Sequence, residues 1–198
     1  MSDALHTITT ALNTIAIELA RTNQLLAQSL PQAPSAPDWE AAIAWRWRSQ
    51  NGRRWLAPVA QFRAPILADL HEVDEQKAKL LQNTVFFLAG KPANHVLLSG
   101  ARGTGKSSLI KAVLQELAPQ GLRLIEVDKN DLIDLPEIVE WVEGRSEKFI
   151  IYCDDMSFDA AETQYKALKS VLDGSIATTS SNVLVYATSN RRHLLPET

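Results

Sequence analysis

The first thirty residues of the chain carry a regular stripe of apolar positions. Between residues 3 and 30 these positions recur in alternating steps of three and four, which predicts a helix with one apolar face. The stripe consists of Leu5, Ile8, Leu12, Ile15, Leu19, Thr22 and Leu26. Residues 31–37 contain three prolines and are typical of a stiff linker. We therefore assign residues 1–30 to an N-terminal amphipathic helix.

Two interpretations of this helix stay open. Its spacing suits a coiled coil, but it also suits a helix that packs against its own domain or against a neighbouring subunit. The flanks of the stripe carry only Asp3, Glu18 and Arg21 as charged residues, so the charge pattern that specifies a zipper is nearly absent. We favour packing against the chain's own domain or a neighbouring subunit.

From residue 74 onward, short apolar runs alternate with helical stretches. The apolar runs predict strands at residues 95–99, 122–127, 149–153 and 183–187. Helices are predicted at residues 74–89, 105–117, 135–142 and 160–172. This alternation predicts an α/β fold, with a parallel sheet between two helical layers. We assign residues 74–198 to this domain and residues 38–73 to a segment that leads into it.

The formal net charge of −3 conceals a basic, aromatic stretch at residues 38–63. The stretch holds four of the five tryptophans and five arginines: Trp39, Trp45, Trp47, Trp55, Arg46, Arg48, Arg53, Arg54 and Arg63. Such residues bind single-stranded nucleic acid when the arginines meet phosphates and the rings stack on bases. They also occur where the rings pack beneath a core and arginine stems cover them. We favour the packing interpretation, and keep DNA or a protein client as alternatives for residues 39–63.

The composition excludes several classes of protein. A hydrophobic content of 45% excludes a wholly disordered chain, and a single cysteine excludes an internal disulfide. No uncharged stretch is apolar enough to span a bilayer, and no basic residue precedes Arg21 as a secretory signal requires. We therefore expect a cytoplasmic protein with no membrane contact.

A complete phosphate-binding motif follows the strand predicted at residues 95–99. Residues 100–107 fit G-x-x-x-x-G-K-[S/T] and open a predicted helix, as this motif requires. We expect the backbone N–H groups to bind the phosphates of ATP, Lys106 to reach the β- and γ-phosphates, and Ser107 to ligate Mg²⁺. The predicted nucleotide-binding residues are Gly100, Ala101, Arg102, Gly103, Thr104, Gly105, Lys106, Ser107 and Ser108.

Two acidic residues follow the apolar strand at residues 149–153. Because ligands of open α/β sheets bind at the carboxyl ends of strands, Asp154 is predicted to hold Mg²⁺ and Asp155 to polarise the attacking water. A whole strand separates them from the phosphate loop, which favours a hydrolytic ATPase over a small-molecule kinase. The plainer interpretation of the pair is a helix cap or a solvated turn. Cys153, inside the strand, is predicted to be an inert buried thiol.

With these elements placed, the chain resembles the AAA+ ATPases. The resemblance implies that Asn190 is the polar sensor at the end of the last strand, with Thr188 as the lesser candidate, and that residues 70–77 pack beside adenine. Residues 39–198 most resemble a bacterial AAA+ family of unassigned function, distantly similar to replication initiators and helicase or transposase loaders. The stretches that carry this likeness are GKPANHVLL before the phosphate loop, CDDMSF, ATSNRRHL and the approach near WRWR. That family also has Asp at the position of Asp155.

The resemblance further implies that residues 74–198 are an incomplete module. AAA+ modules continue beyond the sensor to an arginine finger, a fifth strand and a helical lid, whereas this chain ends at Thr198. Four of five expected strands are present, and the family's strand order would leave residues 95–99 at a sheet edge. We expect the chain to bind ATP but to hydrolyse it slowly, and the full-length form to be a homo-oligomer. The alternative function is a nucleic-acid-binding or oligomerising module in which ATP acts only as a switch.

Overall fold

The computed structural model describes residues 2–29, 37–50, 52–156, 169 and 181–190, in two compact units. Residues 1–36 form the first unit, which contains helix α1, Ser2–Ser29. The side chains of residues 6–25 are exposed along this helix. The helix predicted at residues 160–172 lies outside the described residues. Among the helices that are described, none has the length and apolar content to cross a membrane.

The second unit, residues 37–198, contains a six-stranded sheet with helices on both faces. Its strands are β1 Ala44–Gln50, β2 Arg53–Pro58, β3 Val96–Ser99, β4 Leu122–Glu126, β5 Lys148–Cys153 and β6 Val183–Ser189. Its α-helices are α2 Asp74–Leu88, α3 Lys106–Leu117 and α4 Leu135–Val142, and 3₁₀ turns occupy Leu67–Asp69, Ala118–Gln120 and Lys129–Asp134. The strand order is β2-β1-β4-β5-β6-β3, and only the β1–β2 pair is antiparallel. The predicted α/β fold class is confirmed.

The hairpin of β1 and β2 extends the sheet beyond the four strands predicted from residue 95 onward. Strand β1 lies parallel to β4, with Trp45 beside Ile125, and β2 forms the outer edge. At the opposite edge β3 pairs with β6 and with no other described strand, as the family's strand order implies. The approach segment therefore contributes two strands to the sheet of the second unit.

The alternation of side chains along the strands divides the core into two layers. On β5, Phe149 and Ile151 face the layer that contains α4, whereas Ile150 faces the layer that contains α2 and α3. Both layers are closed by apolar helix faces, which is why the central strands are apolar on both sides. This arrangement brings the carboxyl ends of β3, β5 and β6 to one edge of the sheet.

Three of the four tryptophans between residues 38 and 63 are core residues. Trp39, Trp45 and Trp47 are buried in the α4 layer, where the Trp47 indole N–H donates to Asp134 at 3.1 Å. Arg54 pairs with the same carboxylate at 2.8 Å. These three rings therefore pack in the core, as the favoured interpretation expects, whereas Trp55 is half-buried.

Candidate nucleotide-binding site

The phosphate loop lies between β3 and the first turn of α3. Gly103 and Gly105 have φ angles of 84° and 81°, a left-handed conformation that side chains with a Cβ rarely adopt. The N–H of Gly100 donates to the carbonyl of Ser189 at 3.2 Å, which ties the start of the loop to the end of β6. The loop therefore curls over the N-terminus of α3, where backbone N–H groups are available to an anion.

Lys106 is the first residue of α3, and its side chain turns back over the loop. Its Nζ donates to the carbonyls of Gly100 and Ala101, each at 2.8 Å, and to Asn190 Oδ1 at 3.1 Å. An ammonium group held only by neutral oxygen atoms keeps its positive charge available for a phosphate. The loop lysine and the residue at the end of β6 are thus in direct contact.

Asp154 lies where β5 ends and accepts two hydrogen bonds at one oxygen atom. Ser107 Oγ donates to Asp154 Oδ1 at 2.8 Å, and Thr188 Oγ1 donates to the same atom. Partial burial of Asp154 favours the neutral acid, but these hydrogen bonds favour the carboxylate more strongly, so its pKa lies below the ordinary value. The carboxylate is therefore ionised at neutral pH beside the Ser107 hydroxyl.

These two groups fit a magnesium ion. Both present oxygen atoms, which Mg²⁺ prefers, and Mg²⁺ is commonly held by one or two protein groups together with phosphates and water. Within the part of the chain that the structure describes, no three His, Cys, Asp or Glu side chains are grouped as a metal cage. The donor set therefore suits a metal that arrives with a nucleotide.

Asp155 has a conformation that is rare for a residue with a side chain. Its φ angle is 51°, and its N–H donates to Thr188 Oγ1 at 2.9 Å. The Asp155 carboxylate accepts a hydrogen bond from Asn190 Nδ2. Asn190 thus contacts both Asp155 and Lys106, and it joins the second acid to the phosphate loop.

These groups surround a pocket of about 330 Å³ at the carboxyl edge of the sheet. Its wall consists of Arg102, Gly103, Thr104, Gly105, Lys106, Ser107, Ser108, Asp154, Asp155, Thr188 and Asn190. Of the predicted loop residues, Gly100 and Ala101 contribute instead the carbonyls that hold Lys106. The structure thus brings the predicted loop, acids and sensor to one place.

A second pocket, of about 450 Å³, lies on the other side of the loop and shares Thr104, Gly105 and Lys106 with the first. Its remaining wall includes Glu72, Val73 and Gln76, which belong to the segment predicted to pack beside adenine. Apolar side chains complete it: Leu97, Leu98 and Leu109. The sequence does not mark these leucines as site residues, since only their position beside the loop distinguishes them from core residues.

Thr188 has a larger part in the site than its sequence position suggests. Its hydroxyl bonds to Asp154 and to the N–H of Asp155, and its carbonyl accepts from the N–H of Met156 at 2.7 Å. Cys153, the last residue of β5, is fully buried, and burial raises the pKa of its thiol to about 12. The predicted burial of this thiol is therefore confirmed.

Two of the four arginines of the hairpin, Arg46 and Arg54, pair with acidic groups. Arg46 pairs with Glu126 at 2.7 Å, and Arg54 bonds to Glu137 at 3.1 Å as well as to Asp134. Arg46 and Arg48 also line a third pocket, of about 360 Å³, together with Asp154. The hairpin therefore borders the site, and Arg46 and Arg54 are already paired with acidic groups.

Comparison with solved structures places this fold among known proteins. A chain of the E. coli MS115-1 HORMA:CdnC:Trip13 complex is 17% identical over 66% of this chain, with a TM-score of 0.50. Rhizobiales Trip13 is 14% identical over 64% of this chain, with a TM-score of 0.47. DnaI is 22% identical over 66% of this chain and 71% of its own, with a TM-score of 0.46. The chain spans 57% of the length of each of the two Trip13-containing matches.

The match with a TM-score of 0.50 shows the fold alone, which is a P-loop NTPase fold. No curated protein matches the chain. Residues 40–198 match the family described as a protein of unknown function, DUF815. Because this match covers the whole sheet and the candidate site, the chain belongs to the DUF815 family.

Proposed function

We propose that the chain binds ATP and hydrolyses it with the help of Mg²⁺, and that hydrolysis drives a conformational change on a macromolecular partner. The observation that supports this most strongly is the convergence of Lys106, Asp154, Asp155 and Asn190 on the pocket beside the phosphate loop. Phosphoryl transfer to water requires four kinds of group: a positive group, a carboxylate that binds the metal, a second carboxylate and a polar amide. The wall of the pocket supplies all four.

Each group has a defined part in this proposal. Lys106 leaves the carbonyls of Gly100 and Ala101 and binds the terminal phosphates, where its charge offsets the charge that develops during transfer. Ser107 and Asp154 hold Mg²⁺, which supplies charge neutralisation to the phosphates when bound. Asp155 accepts a hydrogen bond from the attacking water and orients it, while Asn190 holds the carboxylate in position.

The pocket on the other side of the loop is the proposed adenine site. It combines the apolar side chains of Val73, Leu97 and Leu109 with the polar ends of Glu72 and Gln76. Pockets for small molecules are mostly apolar with a few polar groups that fix orientation, and adenine needs both. Its shared wall with the phosphate pocket allows one nucleotide to occupy both sides of the loop.

Turnover by this chain alone is expected to be slow. In phosphoryl transfer an additional arginine contributes roughly 10³- to 10⁵-fold to the rate. Among the described residues that line the phosphate pocket, the one arginine is Arg102, which belongs to the loop itself. We expect an arginine supplied by an associated molecule to raise the rate.

Substitution of the loop lysine tests the proposed site. We expect Lys106→Ala to weaken ATP binding roughly ten- to a hundredfold, because hydrogen bonds to a charged group contribute about 1.5–3 kcal/mol. Isothermal titration calorimetry with ATP and Mg²⁺ measures this loss directly.

Lys79→Ala is the matched control, since Lys79 is an exposed lysine on α2 that pairs with Glu75 at 2.6 Å. Its affinity for ATP should equal that of the unsubstituted chain. Equal affinity in the Lys106→Ala chain would rule out the proposed phosphate site.

A further inference from the structure

Helix α1 presents a continuous apolar stripe to solvent. Ile8, Leu12, Ile15 and Leu19 follow one another along the stripe, and each is 59–62% exposed. An exposed apolar surface of this length is typical of an interaction site.

The repeat of the stripe is that of a coiled coil. The positions from Leu5 to Leu26 keep an alternation of three and four residues over three heptads, an average of 3.5 residues per turn. A straight α-helix has 3.6 residues per turn, so this stripe drifts around the helix unless the helix supercoils about similar helices. A second helix with the same repeat, such as another copy of α1, follows the stripe along its whole length.

The residue types along the stripe indicate how many helices pack together. In heptad notation Leu5, Leu12, Leu19 and Leu26 occupy position a, while Ile8 and Ile15 occupy position d. Two-stranded coils favour β-branched residues at a and leucine at d, whereas leucine at a with isoleucine at d favours assemblies of higher order. Helix α1 has the second pattern, with leucine at position a and isoleucine at position d.

The flanks of the stripe agree with a higher-order assembly. Positions e and g, which border the stripe, include the small or apolar residues Ala11, Ala16 and Leu25. Glu18 is the one charged residue at these positions between residues 6 and 25, so parallel copies meet no series of like charges. The scarcity of flanking charge, which argues against a two-stranded zipper, therefore suits a broader apolar seam.

Thr22 occupies the remaining position d, and its hydroxyl group is already satisfied. Thr22 Oγ1 donates to the carbonyl of Glu18 within the same helix at 2.8 Å. Burial of this layer between helices therefore leaves no threonine donor without an acceptor. The polar position does not interrupt the seam.

We propose that α1 assembles four copies of this chain through a parallel four-stranded coiled coil. This inference rests on the helix alone and does not depend on the proposed ATPase activity. It assigns the N-terminal unit as the assembly element, which brings four nucleotide-binding units together whether or not nucleotide is bound.

Analytical ultracentrifugation of the full chain without nucleotide tests this proposal. We expect the mass of four chains, and we expect Ile15→Asp to reduce it because a charge then lies at a buried position d. Ile17→Asp is the matched control: Ile17 is 66% exposed against 62% for Ile15, but it occupies position f, outside the seam. The control should keep the mass of four chains.

Exchange of the core residues tests the number of strands. The variant Ile8→Leu, Leu12→Ile, Ile15→Leu, Leu19→Ile places isoleucine at a and leucine at d, and should have the mass of two chains. The thermal midpoint of the second unit should be the same in every variant. A monomer, a trimer or a hexamer in the unsubstituted chain, or a tetramer that survives Ile15→Asp, would overturn the proposal.

The orientation of the helices has a separate test. In a parallel assembly the copies of position 8 are neighbours, so Ile8→Cys should form disulfide-linked dimers under mild oxidation. The native Cys153 is buried and gives no background. Failure of Ile8→Cys to cross-link while the mass stays at four chains would overturn the parallel arrangement.

Discussion

Asp155 combines an unusual backbone conformation with a central position in the candidate site. Among the described residues, only Asp155 and Glu72 have a positive φ angle without being glycine, and each lines one of the two pockets beside the phosphate loop. Such conformations cost of order 1–3 kcal/mol and persist where surrounding contacts hold them. At Asp155 those contacts are Thr188 and Asn190.

This conformation makes Asp155→Asn an informative substitution. Asparagine tolerates a positive φ angle as aspartate does, so the fold and ATP affinity should be preserved. Removal of the charge should lower the hydrolysis rate roughly 10²- to 10⁴-fold, because a general base contributes that much to a reaction. Single-turnover hydrolysis measures the rate separately from binding.

Lys79 of α2 again supplies the control, because Lys79→Ala leaves the candidate site unchanged. A hydrolysis rate in the Asp155→Asn chain equal to that of this control would show that Asp155 does not orient the water. Loss of ATP affinity together with rate would instead indicate a contribution to binding.

Part of the site follows from the sequence and part does not. Lys106 and Ser107 are adjacent in one motif, and that motif predicts their place at the start of a helix. Thr188 differs, because its contact with Asp154 depends on the parallel register of β5 and β6, where Cys153 lies beside Ala187. No local spacing encodes that register, so the sequence does not predict the contact of Thr188 with Asp154.

Among the elements of the fold, the β1–β2 hairpin most changes the interpretation of the sequence. Its alternating tryptophans and arginines place rings in the core and cations outside, as a half-buried strand does. Trp47 is 1% exposed, meets Trp141 edge-on at 5.6 Å, and donates to Asp134. The hairpin therefore packs against the α4 layer through the buried Trp47 ring and its hydrogen bond to Asp134.

Truncation of the Trp47 side chain should destabilise the second unit. We expect Trp47→Ala to lower the free energy of unfolding by about 3–5 kcal/mol, as for other large buried side chains. Urea denaturation followed by circular dichroism measures the change.

Arg48→Ala is the control in the same strand, since Arg48 is exposed, and it should change stability by less than about 0.5 kcal/mol. A small effect of Trp47→Ala would mean that the hairpin folds independently of the sheet.

The sequence predicted the central elements better than this hairpin. The boundaries of β4, β5 and α3 agree with prediction to within a residue, because each is an apolar run or an amphipathic stretch with clear ends. The hairpin also alternates apolar and basic residues, but its place beside β4 is a long-range pairing. Such a pairing depends on which edge of the sheet is free, and composition does not contain that information.

At the scale of the whole molecule, one histidine connects the edge strand to the rest of the sheet. His95 Nδ1 accepts a hydrogen bond from the N–H of Val185 at 2.9 Å, just before β3 begins. Burial lowers the pKa of His95 below its ordinary value of 6.5, because the charged form is desolvated. Protonation also removes the lone pair that accepts this hydrogen bond.

Stability of the second unit should therefore depend on pH through His95. The imidazole contributes its full stabilisation above pH 6.5, where it is neutral in both the folded and unfolded states, and this contribution decreases as pH falls below 6.5. Thermal unfolding between pH 7.5 and 5.5 measures the decrease.

His95→Gln keeps an acceptor for the Val185 N–H but does not titrate in this range. Its thermal midpoint should change less with pH than that of the unsubstituted chain. If the thermal midpoints of the two chains changed equally with pH, His95 would be excluded as the source of the pH dependence.

The distribution of tryptophans has a spectroscopic consequence. All five lie in the second unit, and residues 1–38 contain no tryptophan, tyrosine or phenylalanine. Trp39 and Trp45 are 5.1 Å apart, a separation at which indole rings exchange excitation energy and couple in near-ultraviolet dichroism. Tryptophan fluorescence of the chain therefore reports on the second unit and is silent on helix α1. A single fluorophore attached to α1 would provide a second, independent signal.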